Sequence, residues 1–164
     1  MNKIIEATVV FLVGIGFYVV APNGEKVILP APITTGVINV AVTQATIGQT
    51  ICVRGYTATI RPSATYTTHL KRQQLVTTYS YYTDKKLSSY EEDHLISLEL
   101  GGSPTNPKNL WPEPYAGTYG ARVKDQVEDK LHRMVCAHLI SLADAQQAIA
   151  SNWWTAHQKY LGGK

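Results

Sequence analysis

Residues 92–102 read EDHLISLELGG and residues 106–114 read NPKNLWPEP, and these two stretches decide the fold. Residues 94–100 predict a strand, Gly101-Gly102-Ser103-Pro104 opens a loop, and Asn109-Leu110-Trp111 predicts a short returning strand. The result is a hairpin with a long tip. Its first strand opens on Glu91-Glu92-Asp93-His94, the densest polar cluster in the chain. Carboxylates crowded beside a histidine either raise its pKa or hold a cation that offsets their repulsion. Neighbours in a strand point to opposite faces, so Asp93 and His94 take separate tasks unless a bulge or strand end turns one of them.

Working outward, Tyr119 or Gly120 opens a helix to about His138, with Val123, Val127, Leu131, Met134 and Val135 at helical spacing. On that helix Asp125, Glu128 and His132 fall within about 60° of one another, away from the apolar stripe. Ser141 caps a further helix that ends at Gly162-Gly163. Trp153 and Trp154, near its end, are expected to turn one ring inward and one outward. Upstream, residues 50–60, TICVRGYTATI, predict one or two short strands; Arg61-Pro62-Ser63 stops them, and Ser63 caps a helix from Ala64 to about Val76. Six of the ten tyrosines fall between Tyr56 and Tyr90. They suit either stacking on bases or amphipathic packing at a domain edge.

The motif order is Asp-His, a Gly-Gly turn, Asn-Leu, then an acidic helix. EDHLISLELGG with NPKNLWPEP resembles the ββα-metal, or HNH, nucleases. They resemble more closely the small exported bacterial HNH-like proteins that carry an ICVRGYTATIRP segment and a closing AQQAIASNW helix. The resemblance spans roughly residues 42–154. It implies an α+β fold built on a small ββα-metal hairpin-helix core with flanking strands and helices. It assigns His94 as general base, Asp93 as a ligand of Mg²⁺ or another divalent cation such as Mn²⁺, and Asn109 as the residue that ties the loop and keeps the histidine oriented. The chain departs from the family at the third motif, where no His or Asn follows Asn109 at the usual short spacing. KDQVE, residues 124–128, looks like the corresponding family stretch, which favours Asp125 and Glu128 over His132 as further metal ligands. Pairing of these acids with Lys124 and Lys130 on a solvated helix face is the alternative. Glu91 and Glu92 are expected either to support the metal ligands from behind or to form a solvated strand entrance.

The implied activity is phosphodiester hydrolysis of nucleic acid, expectedly DNA, with little sequence preference and no organic cofactor. Arg54, Arg61, Lys71, Arg72 and Lys108 are candidate phosphate contacts, with Lys85, Lys86 and Arg122 also available. The rival function is a non-catalytic module on the same scaffold that binds an envelope or nucleic-acid partner.

Composition frames these expectations. The 164 residues carry 15 Lys and Arg against 12 Asp and Glu, a net charge of +3, and 45% are apolar, enough for one core and not for two. No run of five like charges occurs, which excludes a histone-like tail, and disorder, collagen and coiled coil are excluded too. Residues 4–21, IIEATVVFLVGIGFYVVA, predict a signal peptide or a membrane anchor over residues 1–21, so the chain is expected to be secreted, periplasmic or anchored facing outward. The alternative is a strand pair joined by a turn at Asn23-Gly24. Residues 22–39, rich in Pro and Gly, read as a linker, leaving residues 40–164 as the domain. In an exported chain Cys52 and Cys136 are expected to form a disulfide. A Cys/His zinc site is not expected, because no CxxC or CxxH spacing occurs.

Overall fold

The computed structural model describes residues 10–12 and 16–162. It is α+β, with four α-helices and two small antiparallel sheets. The first sheet has the order β1 (Val10–Leu12), β2 (Gly16–Val20), β3 (Lys26–Ile28). The second is a hairpin of β4 (Tyr90–His94) and β5 (Leu110–Pro114), in which Asp93 faces Trp111 and His94 faces Leu110. The helices are α1 (Tyr56–Ile60), α2 (Ala64–Val76), α3 (Ala121–Cys136) and α4 (Leu142–Tyr160).

The hairpin is present, but its strands lie elsewhere than expected. The first ends at His94 rather than beginning there, and residues 98–100 form a 3₁₀ turn. The second begins one residue after Asn109 and runs on to Pro114. The physical reason is Asn109, whose side chain takes over hydrogen bonds that a continuing ladder would otherwise make. Its Oδ1 accepts from the backbone N–H of Ile96 (3.0 Å) and Val37 (3.3 Å), and its Nδ2 donates to the carbonyls of Ile96 and Ser103, both at 3.0 Å. The Gly-Gly turn then closes tightly. Gly101 sits at φ 74°, and a Cβ on Gly102 would lie 1.7 Å from the Ile96 carbonyl oxygen, so no other residue fits there.

Residues 50–60 form turns followed by α1 instead of strands, with Gly55 at φ 87° as the N-cap. The Arg61-Pro62 stop holds, because the residue before proline is pushed to extended backbone, here φ −62°, ψ 129°. Ser63 caps α2 as expected, its Oγ accepting from the Tyr66 N–H at 3.2 Å. Ser141 does the same for α4 through Asp144 N–H at 3.0 Å. Inside α4 the backbone breaks at Asn152 (φ −169°, ψ 103°), whose Oδ1 caps a second helical segment through Trp154 and Thr155 N–H. That break lets both tryptophans turn inward, where one exposed ring was expected: Trp153 is fully buried, and Trp154 stacks on His157 at 4.7 Å.

Residues 22–39 are not a free linker. They contain β3, Tyr79 Oη bonds both Ala31 N–H (3.1 Å) and Thr34 Oγ1 (2.7 Å), and Val37 O accepts from Ser103 N–H at 2.6 Å. Val19, Ala21 and Val27 join Val127, Leu131, Val135, Ile149 and Trp153 in one core, so the packed unit reaches back beyond residue 40 to at least the β2 strand. The hydrophobic strands on either side of Asn23-Gly24 pair as that turn allows: Val20 faces Lys26. Residues 1–9 and 13–15 of the segment read as a leader lie outside the described residues. No helix among the described residues is long and apolar enough to cross a membrane.

A second, smaller core gathers Tyr79, Tyr82, Tyr90, Leu75, Leu95 and Trp111 under the hairpin. Tyr82 and Tyr90 stack with centroids 5.2 Å apart and planes 6° from parallel. The tyrosines concentrated there pack against one another, which favours the structural of the two readings.

Candidate active site

α2 and α3 grip the hairpin from opposite sides. From α2, Lys71 Nζ donates to Tyr90 O at 2.7 Å and Gln74 Nε2 to Leu110 O at 2.8 Å, one bond to each strand. From α3, Lys124 Nζ donates to Asp93 Oδ2 at 2.6 Å, to His94 O at 2.9 Å and to Glu128 Oε1. Strand alternation therefore sorts the polar cluster: Glu92 and His94 open onto a cleft beside α2, while Asp93 turns toward α3.

His94 Nε2 lies 3.0 Å from the carbonyl oxygen of Pro104. A carbonyl only accepts, so Nε2 carries the proton and Nδ1 keeps its lone pair. Nδ1 makes no hydrogen bond to the protein among the described residues. Burial lowers the pKa of His94, and the Lys124 and Arg61 cations act the same way, although Pro104 O and Asp93 oppose them. The net effect favours the neutral ring. The cleft it lines, about 320 Å³, also carries Arg61, Lys71, Glu91, Glu92 and Tyr115. Asn109, fully buried, does not enter the cleft. Its amide fixes the loop behind His94.

The acids divide into two sets. Glu91 and Asp125 are each raised first by burial and then by the charge of Asp93, with Arg122 the opposing cation, but Glu91, Asp93 and Asp125 do not gather within 4.8 Å of one another. Arg122 lies 3.6 Å from Asp125. Glu128, expected as a metal ligand, instead is buried against Lys124. Glu113, which sequence reading missed, is buried on β5 opposite Glu91. As a carboxylate neither of its oxygens meets a donor; as an acid it donates to Asp93. Burial first, and Asp93 second, push its pKa well above the ordinary carboxylate range. Burial pulls Lys124 down, but Asp93, Glu128 and Glu113 outweigh it and hold the ammonium. One cation facing three buried carboxylates leaves an excess of negative charge, which the raised pKa values of both Glu113 and Glu128 act to reduce.

A hard divalent cation fits this arrangement only in part. Asp93, Asp125 and Glu91 are hard oxygen donors, but Asp93 Oδ2, expected as the first metal ligand, is taken by Lys124 at 2.6 Å, and the three carboxylates do not converge within 4.8 Å. Glu128 is out of reach because Lys124 stands between it and Asp93. Lys124 was read from sequence as a solvated partner; only the tertiary fold buries it.

Glu92 is half-buried, with both carboxylate oxygens enclosed and lacking a hydrogen bond, and desolvation pushes its pKa up to about 8 against the opposing pull of Lys71. Of the phosphate-contact candidates, the structure brings Arg61 and Lys71 to the His94 cleft. Lys71 is half-buried and committed to Tyr90 O, so Arg61 is the exposed cation there. Arg54, Arg72 and Lys108 are exposed but line other surfaces, and Lys85 is tied to the carbonyls of Leu75 and Ser80.

Cys52 and Cys136 form the expected disulfide, with Cα atoms 5.6 Å apart, joining the turn before α1 to the end of α3. Such bonds persist in oxidising compartments. No protein-family model, no curated protein and no solved structure matches the chain.

Proposed function

We propose that this protein is an HNH-like endonuclease that hydrolyses phosphodiester bonds in nucleic acid with little sequence preference, His94 acting as general base. The observation that carries this is the His94–Pro104 hydrogen bond. It fixes the tautomer so that an unprotonated Nδ1 belongs to a cleft that also holds Arg61. A neutral imidazole draws a proton from water, the water oxygen bonds to phosphorus, and the ester oxygen departs with the bonding electron pair. Arg61 places the anionic phosphodiester and stabilises the charge that builds on its oxygens. Lys124 and Asn109 hold the strand end and the loop that aim His94. Asp93 and Asp125 would be the residues to hold Mg²⁺ or Mn²⁺ once Asp93 gave up its bond to Lys124, and such an ion would supply Lewis-acid stabilisation of the phosphodiester.

The test is to incubate the full chain with supercoiled plasmid and Mg²⁺ or Mn²⁺, with and without chelator. Nicking and linearisation that stop on chelation support the proposal. An intact plasmid in every divalent condition, from a chain shown to be folded by circular dichroism, overturns it and favours the non-catalytic binding module.

A further inference from the structure

The disulfide carries a second possibility in its surroundings. A ring nitrogen of His132 and the sulfurs of Cys52 and Cys136 lie within 4.8 Å of one another, the group of three ligand-type side chains that gathers so closely among the described residues. His132 and Cys136 are four apart on α3 and so share a helix face, while Cys52 arrives from a turn 84 positions away. No CxxC spacing is needed when the fold itself performs the convergence.

The imidazole is already oriented. His132 Nε2 lies 2.9 Å from Ile51 O, which as a carbonyl requires that nitrogen to be the proton carrier. Nδ1 is left facing Glu99 Oε2 at 3.6 Å, a gap too long for a hydrogen bond and suited to a cation. Glu99 is half-buried on the 3₁₀ turn that follows the hairpin's first strand. Two thiolates and one imidazole supply three donors of a tetrahedral zinc site, and Glu99, outside that close trio but beside the imidazole, is placed to approach as the fourth. Two Zn–S bonds of about 2.3 Å place the sulfurs about 3.8 Å apart, a spacing that Cα atoms 5.6 Å apart admit.

We propose that the reduced chain binds Zn²⁺ through Cys52, Cys136 and His132 with Glu99 as fourth ligand, so that the metal replaces the disulfide as the clamp between the turn before α1 and α3. The oxidised chain cannot do so, because its sulfurs are spent on each other. A phosphine opens the site: phosphorus attacks one sulfur, water supplies the oxygen of the phosphine oxide, and the two sulfurs leave as thiols. Zn²⁺ then displaces the two thiol protons. This proposal does not rest on the nuclease reading.

The experiment uses the full chain, reduced with a phosphine, desalted without oxygen and titrated with Co²⁺ as the spectroscopic stand-in for Zn²⁺. The expected result is a thiolate-to-cobalt charge-transfer band and tetrahedral d–d bands, both discharged by one equivalent of Zn²⁺ and both missing from the oxidised chain. His132→Ala is expected to weaken cobalt binding at least tenfold and Glu99→Gln about tenfold. Should the reduced chain lose its fold without metal, Zn²⁺ is expected to restore its circular dichroism spectrum. A reduced chain with two free thiols that shows no charge-transfer band overturns the proposal. So does a His132→Ala variant that binds cobalt as the parent does, or a reduced chain that Zn²⁺ fails to refold.

Discussion

Lys124 of α3 donates to Asp93 Oδ2 at 2.6 Å and to the His94 carbonyl at 2.9 Å, clamping the end of β4 from behind. The ammonium is almost wholly buried, and its remaining bond goes to Glu128. Removing one member of a buried ionic group leaves the others charged and unpaired, which costs more than the intact group contributes. Lys124→Met is therefore expected to destabilise the chain by about 3–5 kcal/mol in urea unfolding. A loss below about 1 kcal/mol would show that the buried charges rearrange freely.

Asn109 spends both ends of its amide on the loop that carries Pro104, the acceptor for His94. Asn109→Ala orphans the Ile96 N–H and carbonyl and the Ser103 carbonyl. At about 1–3 kcal/mol for each buried orphan that water cannot reach, the expected loss is about 3 kcal/mol or more. Chemical denaturation checks it. Asn109→Asp is expected to fail too, since a carboxylate accepts where Nδ2 donates.

The hairpin, the Ser63 and Ser141 caps, the apolar stripe of α3 and the Cys52–Cys136 bond were legible because each rests on local spacing or on residue chemistry. What was not legible depends on contacts far apart in sequence. β4, YEEDH, has no apolar alternation to announce a strand; Asp93 and His94 are buried, and Glu91 and Glu92 half-buried, because α2 and α3 pack against the hairpin. Lys124 and Glu113 look like solvated charges until the helix and hairpin meet. His132 becomes a candidate ligand only when residue 52 is brought to α3. Residues 22–39 show Pro and Gly, which suggest a linker, while the bonds that tie them to Tyr79, Ser103 and Asn109 leave no trace in local composition.

Glu92 predicts a pH dependence. Its pKa stands at about 8 in the folded chain against an ordinary 4.5, so the folded state retains a proton that the unfolded state releases. Stability from this group is full below about pH 4.5, falls as pH rises, and is lost by about pH 8, by a few kcal/mol at most. Glu92→Gln removes the titration. In chelator, its melting temperature is expected to gain on the parent between pH 5 and pH 8; a constant difference would contradict the placement of Glu92.

Arg61 and Arg54 are both exposed, but Arg61 is the one that shares the His94 cleft. Arg61→Ala is expected to raise KM for nucleic acid and to reduce the salt dependence of binding by about one phosphate contact, while Arg54→Ala changes neither. Binding titrations over a range of salt concentrations, on both variants, decide it.

The most direct test of the central claim is the initial rate of plasmid cleavage by His94→Ala against the parent, at equal folded concentration in Mn²⁺. General-base catalysis is worth about 10²–10⁴-fold, so the account predicts a loss of at least about 10²-fold per folded molecule with DNA affinity little changed. A His94→Ala variant that cleaves at the parent's rate would contradict it.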